Sequence, residues 1–362
     1  MKKFSKVLIV TMALTLVMAF MPTMAFADDT TTTTDATTTA TVKVTFTAST
    51  PTGFDMINKT ITATSNLAET YFPAIAKNEV SGQVSMLDVL VAAHIAKYGE
   101  AKFKADPTAY LDAKDGGGYT SVAKQFGHKI VGIYTINNAM TATGVSAAPV
   151  KNGQNVKVCS YADSDTGWTA LMSYFNKETY SAKAGKAFSV KITAAGSDPT
   201  TYVQTAVTPN KSVIQTVNTT SGALKATSYK TNTKGIASVK FSKPGTYYIS
   251  AKGTVTYTGW AGKTTASIMA PLAKVKVGLS TPSAKASAKT KSSVRISWKK
   301  ITGASKYKVY RATKKTGTYK CVKTTTKLSL TNKGLKKGQH YYYKVKAVNG
   351  SHVSAFSKVV VK

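Results

Sequence analysis

No aspartate or glutamate occurs after Asp198 in this chain of 362 residues. That absence excludes several chemistries from the last 164 residues. A carboxyl pair for glycoside hydrolysis cannot form there. A lysine–asparagine amide crosslink assisted by a buried carboxylic acid is excluded as well. Cysteine occurs twice and histidine four times. Two cysteines cannot build a disulfide-dense scaffold or a four-cysteine zinc site. Cys159 and Cys321 fall in different predicted units, and both are expected to be small buried side chains rather than a bridge. After the first residues there is no apolar run of the roughly 18 residues that a membrane helix needs.

What the chain has is lysine. Lys and Arg number 49 against 15 Asp and Glu, a formal net charge of +34. Residues 28–198 are balanced, 15 against 15, whereas residues 199–362 hold 31 basic residues and no acid. Only Arg295 and Arg311 among those 31 are arginine. An arginine fork reads bases and phosphates with fixed geometry, while lysine acts as a point charge. Lysines spread over alternate strand positions therefore predict attraction to anionic polymers, not specific nucleic-acid recognition. The apolar fraction, 43%, is that of a folded protein.

Lys2, Lys3 and Lys6 precede an apolar stretch over residues 7–21, and Ala25-Phe26-Ala27 is a small-x-small site. This is the pattern of a secretory signal, predicting cleavage between Ala27 and Asp28 and a secreted, extracellular or wall-associated protein. The C-terminus shows neither a sorting motif with an apolar tail nor a lipidation signal, so no covalent anchor and no membrane span is expected after processing. Residues 28–41, nearly all Thr, Asp and Ala, have too little apolar surface to offset ordering entropy and read as a linker.

Periodicity divides the rest. Val42, Val44 and Phe46 alternate as a strand, and a second short strand is expected near residues 60–64. Residues 85–99 read as a helix, with Ser85 and Asp88 as its capping start and Gly99 as its stop. Residues 112–118 read as an acidic, glycine-rich loop. Strands follow over 130–136 and 156–161, with turns at Asn137-Asn138 and at residues 151–154. From Tyr180 to Val277 short strands and turn signals recur, as in a β-sandwich. Residues 278–290 read as a second linker. In the last unit Val294, Ile296 and Trp298 alternate, and Tyr341, Tyr343, Val345 and Ala347 share a face opposite Lys344 and Lys346. The predicted fold class is mainly β and multidomain: an α+β, β-grasp-like front domain over 42–178, then two β-sandwiches over 179–277 and 291–362.

Three stretches resemble known families. The runs Val294–Lys300, Gly303–Arg311 and Leu335–Tyr341 resemble a fibronectin type III domain of the kind repeated in secreted Gram-positive proteins. That resemblance implies a sandwich with Trp298 as core anchor and Leu335 and Tyr341 forming a tyrosine-corner-like turn, and it implies binding or spacing rather than chemistry. Residues 235–251, a strand, a Lys-Pro-Gly turn and a tyrosine-rich strand, are similar to a bacterial immunoglobulin-like domain. Leu87-Asp88-Val89-Leu90, Tyr134–Asn138 and Asn152–Val156 occur in the order seen in the transcobalamin-C-terminal-like domain of exported bacterial proteins. The sequence lacks that family's tryptophan before the Asn turn and its aspartate at the last turn. The resemblance implies a corrinoid ligand, with Tyr134, Asn137, Asn138 and Trp168 as the residues to watch.

Other chemistry has thin support. No Gly-x-Ser-x-Gly elbow is present, and His94 sits in the apolar helix, where a core role is expected. Asp112, Asp115, Asp163 and Asp165 lack calcium-loop spacing. Three classes of function therefore compete. The first is a non-enzymatic modular surface protein, held to anionic cell-wall polymer by its lysine-rich half and carrying a unit for a ligand or for another surface or host protein. The second is a small-molecule, corrinoid-like carrier. The third is a hydrolase confined to the front unit.

Overall fold

The computed structural model describes residues 37–47, 53–76, 80, 82–116, 120–129, 131–141, 143–161, 171–197, 204–259 and 262–362. The signal segment with Ala27 and Asp28, and Trp168, lie outside them.

The front unit opens on β1 (Thr39–Thr47), which alternates buried Ala40, Val42, Val44 and Phe46 with polar residues. It pairs antiparallel with β2 (Phe54–Thr64). The Met86–Tyr98 helix follows and is buried along its first nine residues, so it packs as a core helix. Ser85 Oγ accepts from the Asp88 amide at 3.0 Å, and Asp88 Oδ2 accepts from the Ser85 amide at 2.8 Å. This reciprocal pair is the capping box that the Ser85-x-x-Asp88 spacing predicts. Gly99, at φ 85°, closes the helix.

The first part of the stretch expected as a loop differs, and residues 117–118 lie outside the described residues. Asp112–Asp115 is a strand, β3, paired with β4 (Thr120–Gln125), which in turn pairs with β5 (His128–Lys129). The anchor is Ala113 opposite Val122, both buried, an apolar contrast too small to show in the sequence. The unit ends with β6 (Val131–Ile136), β7 (Ala139–Met140) and β8 (Asn155–Tyr161). The main sheet has the order β2-β1-β8-β6-β7, with β8 parallel to β1. Its first and last long strands thus lie side by side, and the helix packs on β2, as in a β-grasp.

The middle unit begins earlier than the sequence suggests. β9 (Ser173–Phe175) pairs with a strand of this unit, and Leu171 and Phe175 enter its core. Residues 171–178 therefore supply a strand and two core side chains to the sandwich, while Met172 and Glu178 also touch Cys159 and Lys157 of the front sheet. β10 (Thr179–Lys183), β11 (Ala187–Ser197), β12 (Gln204–Val207), β13 (Val213–Val217), β14 (Leu224–Lys230), β15 (Ile236–Lys240) and β16 (Gly245–Lys252) follow. They are completed by a hairpin of β17 (Thr254–Gly259) and β18 (Gly262–Ser267), and by β19 (Ala273–Gly278). One sheet runs β10-β19-β16-β13-β14; the other runs β12-β11-β15, with β9 also on β11. Val190, Ile192, Ile214, Ile249 and Val275 fill the space between.

The stretch expected as a second linker is structured. Leu279 is buried in the last core, and β20 (Ala284–Thr290) pairs with β21 (Ser293–Trp298). Alternating Ala and Lys or Ser carries a strand period without bulky apolar residues, which is why it resembles a linker. β21 also pairs with β24 (Ser329–Asn332). The facing sheet joins β22 (Lys306–Ala312), β23 (Lys320–Thr325), β25 (Tyr342–Asn349), β26 (His352–Val353) and β27 (Val360–Val361). The molecule is mainly β, with several sheets and three large apolar cores. Small clusters fill the seam between the front and middle units: Phe54 with Val217 and Leu272, and Cys159 with Met172 and Met269. Residues Thr37–Lys362 accordingly form one compact unit.

Candidate anion-binding face

Of the residues watched for a corrinoid, Tyr134, Asn137 and Asn138 hydrogen-bond within the protein, and Trp168 lies outside the described residues. The Tyr134 hydroxyl accepts from Gln125 Nε2 at 2.5 Å, and burial pushes its pKa above the usual phenol range against that hydrogen bond. Asn137 and Asn138 turn the β6–β7 hairpin at φ 52° and 69°, the left-handed pair such a turn demands. Asn137 Oδ1 accepts from the Asn155 amide, and Asn138 Oδ1 accepts from Lys157 Nζ. In the last unit, Trp298, Leu335 and Tyr341 are buried in one core. Trp298 packs against Tyr307 at 5.4 Å, and the Tyr341 hydroxyl accepts from the Lys336 amide at 3.3 Å, tying the approach to β25.

The described carboxylates are dispersed. Asp88 is fully buried and also accepts from the Ala68 amide at 2.8 Å. Burial raises its pKa, opposed by the hydrogen bonds from Ala68 and Ser85. Asp55, Asp112 and Glu178 pair with Lys97, Lys114 and Lys157. Among the described residues no group of three or more His, Cys, Asp or Glu could hold a metal ion. His94 is buried: its Nδ1–H donates to the Leu90 carbonyl at 2.7 Å and its Nε2 accepts from the Phe126 amide at 3.0 Å. Both cysteines are free. Burial pushes the Cys159 thiol up to about 11. Cys321, expected buried, is exposed on β23, an edge strand that buries little.

The feature that gathers functional side chains is the outer face of the last sheet. Tyr307 and Val309 of β22 point inward, as do Tyr343, Val345 and Ala347 of β25. The pleat therefore sends Lys306, Lys308 and Tyr310, and Tyr342, Lys344 and Lys346, to the other side. Cross-strand register sets Lys308 directly opposite Lys346, and Tyr310 opposite Lys344. Like charges in that position destabilise a sheet. With no Asp or Glu in this half, the electron-rich faces of neutral aromatic rings offer the lysines a weak electrostatic partner. Lys346 Nζ lies 4.0 Å from the Phe356 ring centre, and Lys344 Nζ lies 4.0 Å from that of Tyr319. Phe356 in turn meets Tyr310 edge-on at 5.0 Å. The result is a cationic face interleaved with rings. The outward lysines were visible in the alternation of β25; Tyr319 and Phe356 arrive from connecting segments and left no periodic signal.

Residues 280–362 match the fibronectin type III domain family. Among solved structures, a Fn3-like protein from Clostridium thermocellum shares 29% identity, covering 23% of this chain and 88% of its own, with a TM-score of 0.21. The FN3tt domain shares 22% identity, covering 23% of this chain and 92% of its own, with a TM-score of 0.21. The sixth domain of human fibronectin type III domain containing protein 3 shares 19%, covering 24% of this chain and 84% of its own, with a TM-score of 0.22. No curated protein matches the chain.

Proposed function

We propose that this is an exported, non-enzymatic modular binding protein, held on an anionic cell-wall polymer by its lysine-rich C-terminal half. A fibronectin type III domain is a binding and spacing module, and residues 280–362 form one. The observation that carries the reading is charge without counter-charge. All three ion pairs among the described residues take their acid from Asp55, Asp112 or Glu178, and residues 199–362 contain 31 basic residues and no acid to pair with. The positive potential of two sandwiches is therefore not cancelled within the chain. Summed Coulomb attraction to a polyanion is the mechanism. Among the described residues no helix is long and apolar enough to cross a membrane. The front unit is free to present a ligand or partner site at a distance from the wall.

Salt tests this directly. The Debye length falls to about 3 Å in molar salt, which screens exposed charges. Tagged protein should leave washed cells steeply as salt rises, and replacing about a dozen lysines of residues 199–362 with glutamine should shift release to lower salt. Retention of all the protein through a molar-salt wash would refute the mechanism.

A further inference from the structure

A groove of about 610 Å³ lies where the middle sandwich meets the fibronectin type III domain. That volume is in the range of roughly 300–1,000 Å³ typical of ligand sites. Its walls come from both units: the end of β10 with Lys183, the start of β11 with Lys186 and Phe188, Thr246 of β16, Lys276 of β19, and His352 of β26. Parallel pairing brings these positions together. Ser181 on β10 faces Lys276, and Lys183 faces Gly278, whose missing side chain leaves room beside Lys183 Nζ. None of the three lysines forms an ion pair with a described carboxylate. The half-buried ring of Phe188, packed near Tyr180 and Phe241, supplies an apolar strip among the cations.

The groove is also held in shape. The turn after β10 docks against the Thr302-Gly303 turn of the next domain at close range. A side-chain carbon on Gly185 would lie 2.7 Å from Thr302, and one on Gly303 would lie 2.9 Å from Pro244 Cδ. Both glycines have positive φ, 77° and 81°, so the contact is made where side chains are disfavoured twice over. The backbone of the groove is fixed in this way, while the exposed lysine side chains order on binding.

The geometry points to a specific seat for a polyol-phosphate chain in this groove. Phosphodiester oxygens would lie among Lys183, Lys186, Lys276 and His352, and polyol carbons would lie over Phe188. The inference rests on the retention reading above and sharpens it, turning diffuse attraction into attraction plus one defined site. A flexible polyol phosphate suits point-charge lysines and a single half-buried ring better than nucleic acid, which is read by arginine forks and stacked platforms.

The test is calorimetric titration of the full mature chain with a synthetic oligo(glycerol phosphate). Three proteins are compared: the unaltered chain, a groove variant with K183Q, K186Q and K276Q, and a charge-matched variant with K225Q, K230Q and K234Q near the opposite edge of the same sheet. The groove variant should bind about tenfold more weakly or worse, and the matched variant should lose less than about threefold. In the unaltered chain, ring resonances of His352 should move with the titration. Equal losses in the two variants, or an unmoved His352, would overturn the groove while leaving distributed attraction standing. Absence of binding by the unaltered chain would overturn both. Equal affinity of the groove for single-stranded oligodeoxythymidylate of the same charge would overturn the choice of ligand.

Discussion

His94 is held by two hydrogen bonds that require a neutral ring. Its Nδ1–H donates to Leu90, its Nε2 accepts from the Phe126 amide, and its ring stacks on Phe126 at 4.1 Å. Burial pushes its pKa down to about 4, with the Lys97 charge adding to the effect against the Leu90 hydrogen bond. The unfolded chain titrates near 6.5, so between those values it binds a proton that the folded chain refuses. Stability is therefore full well above pH ~6.5 and falls as pH drops toward ~4, by about 2.5 kcal/mol at pH ~4.5. Urea denaturation at neutral and acid pH checks this, and His94→Gln should flatten the difference at some cost in overall stability. Asp88 is the second residue on which the front unit turns. Asp88→Ala would leave the Ala68 and Ser85 amides and the Ser85 hydroxyl without their acceptor, costing about 2–4 kcal/mol in the same assay. Asp88→Asn, which keeps one acceptor oxygen, should cost less.

The sheet of β22 and β25 carries a conflict between stability and charge. Lys308 and Lys346 are direct cross-strand neighbours, and neither has an acid to relieve the repulsion. Lys308→Glu would set opposite charges across the pair and should raise the urea midpoint, a gain of about 0.5 kcal/mol. The same variant should elute earlier from a phosphate-bearing cation exchanger than the charge-matched Lys225→Glu does. A rise in stability with unchanged elution would mean that this face contributes nothing to polyanion binding. Turns show a second kind of element-level constraint. Asn138→Val places a β-branched residue at φ 69° and should cost about 1–2 kcal/mol more than Asn138→Gly, which loses the same hydrogen bond from Lys157 without the backbone strain.

At the scale of the whole molecule, the seam between the last two units is set by backbone approach. Gly303→Ala puts a carbon 2.9 Å from Pro244 Cδ and 3.0 Å from the Ser242 carbonyl oxygen, at φ 81°. Gly334→Ala, at φ 68°, meets nothing within 4 Å. The two share backbone strain and differ in packing, so Gly303→Ala should lower the thermal midpoint further, by the equivalent of about 1–3 kcal/mol. It should also widen the angle between the units, which small-angle scattering would register. Equal midpoints for the two variants would show that the seam is loose.

Some of this protein was written in residue order. The capping pair Ser85 and Asp88, the buried Val42-Val44-Phe46 alternation, and the Val294-Ile296-Trp298 strand are local patterns, because one period of helix or strand fits within a short window. The surplus of lysine is likewise a property of sequence alone. Ala284–Thr290 and Asp112–Asp115 hid because alanine buries too little surface to mark a face; their partners decide their state. Residues 171–178 joined the middle sandwich because Phe175 finds Ile192 through pairing with β11. The cationic face and the groove are decided by tertiary structure. Lys183, Lys276 and His352 are distant in the chain, and only strand pairing and a tight glycine seam bring their charges to one surface.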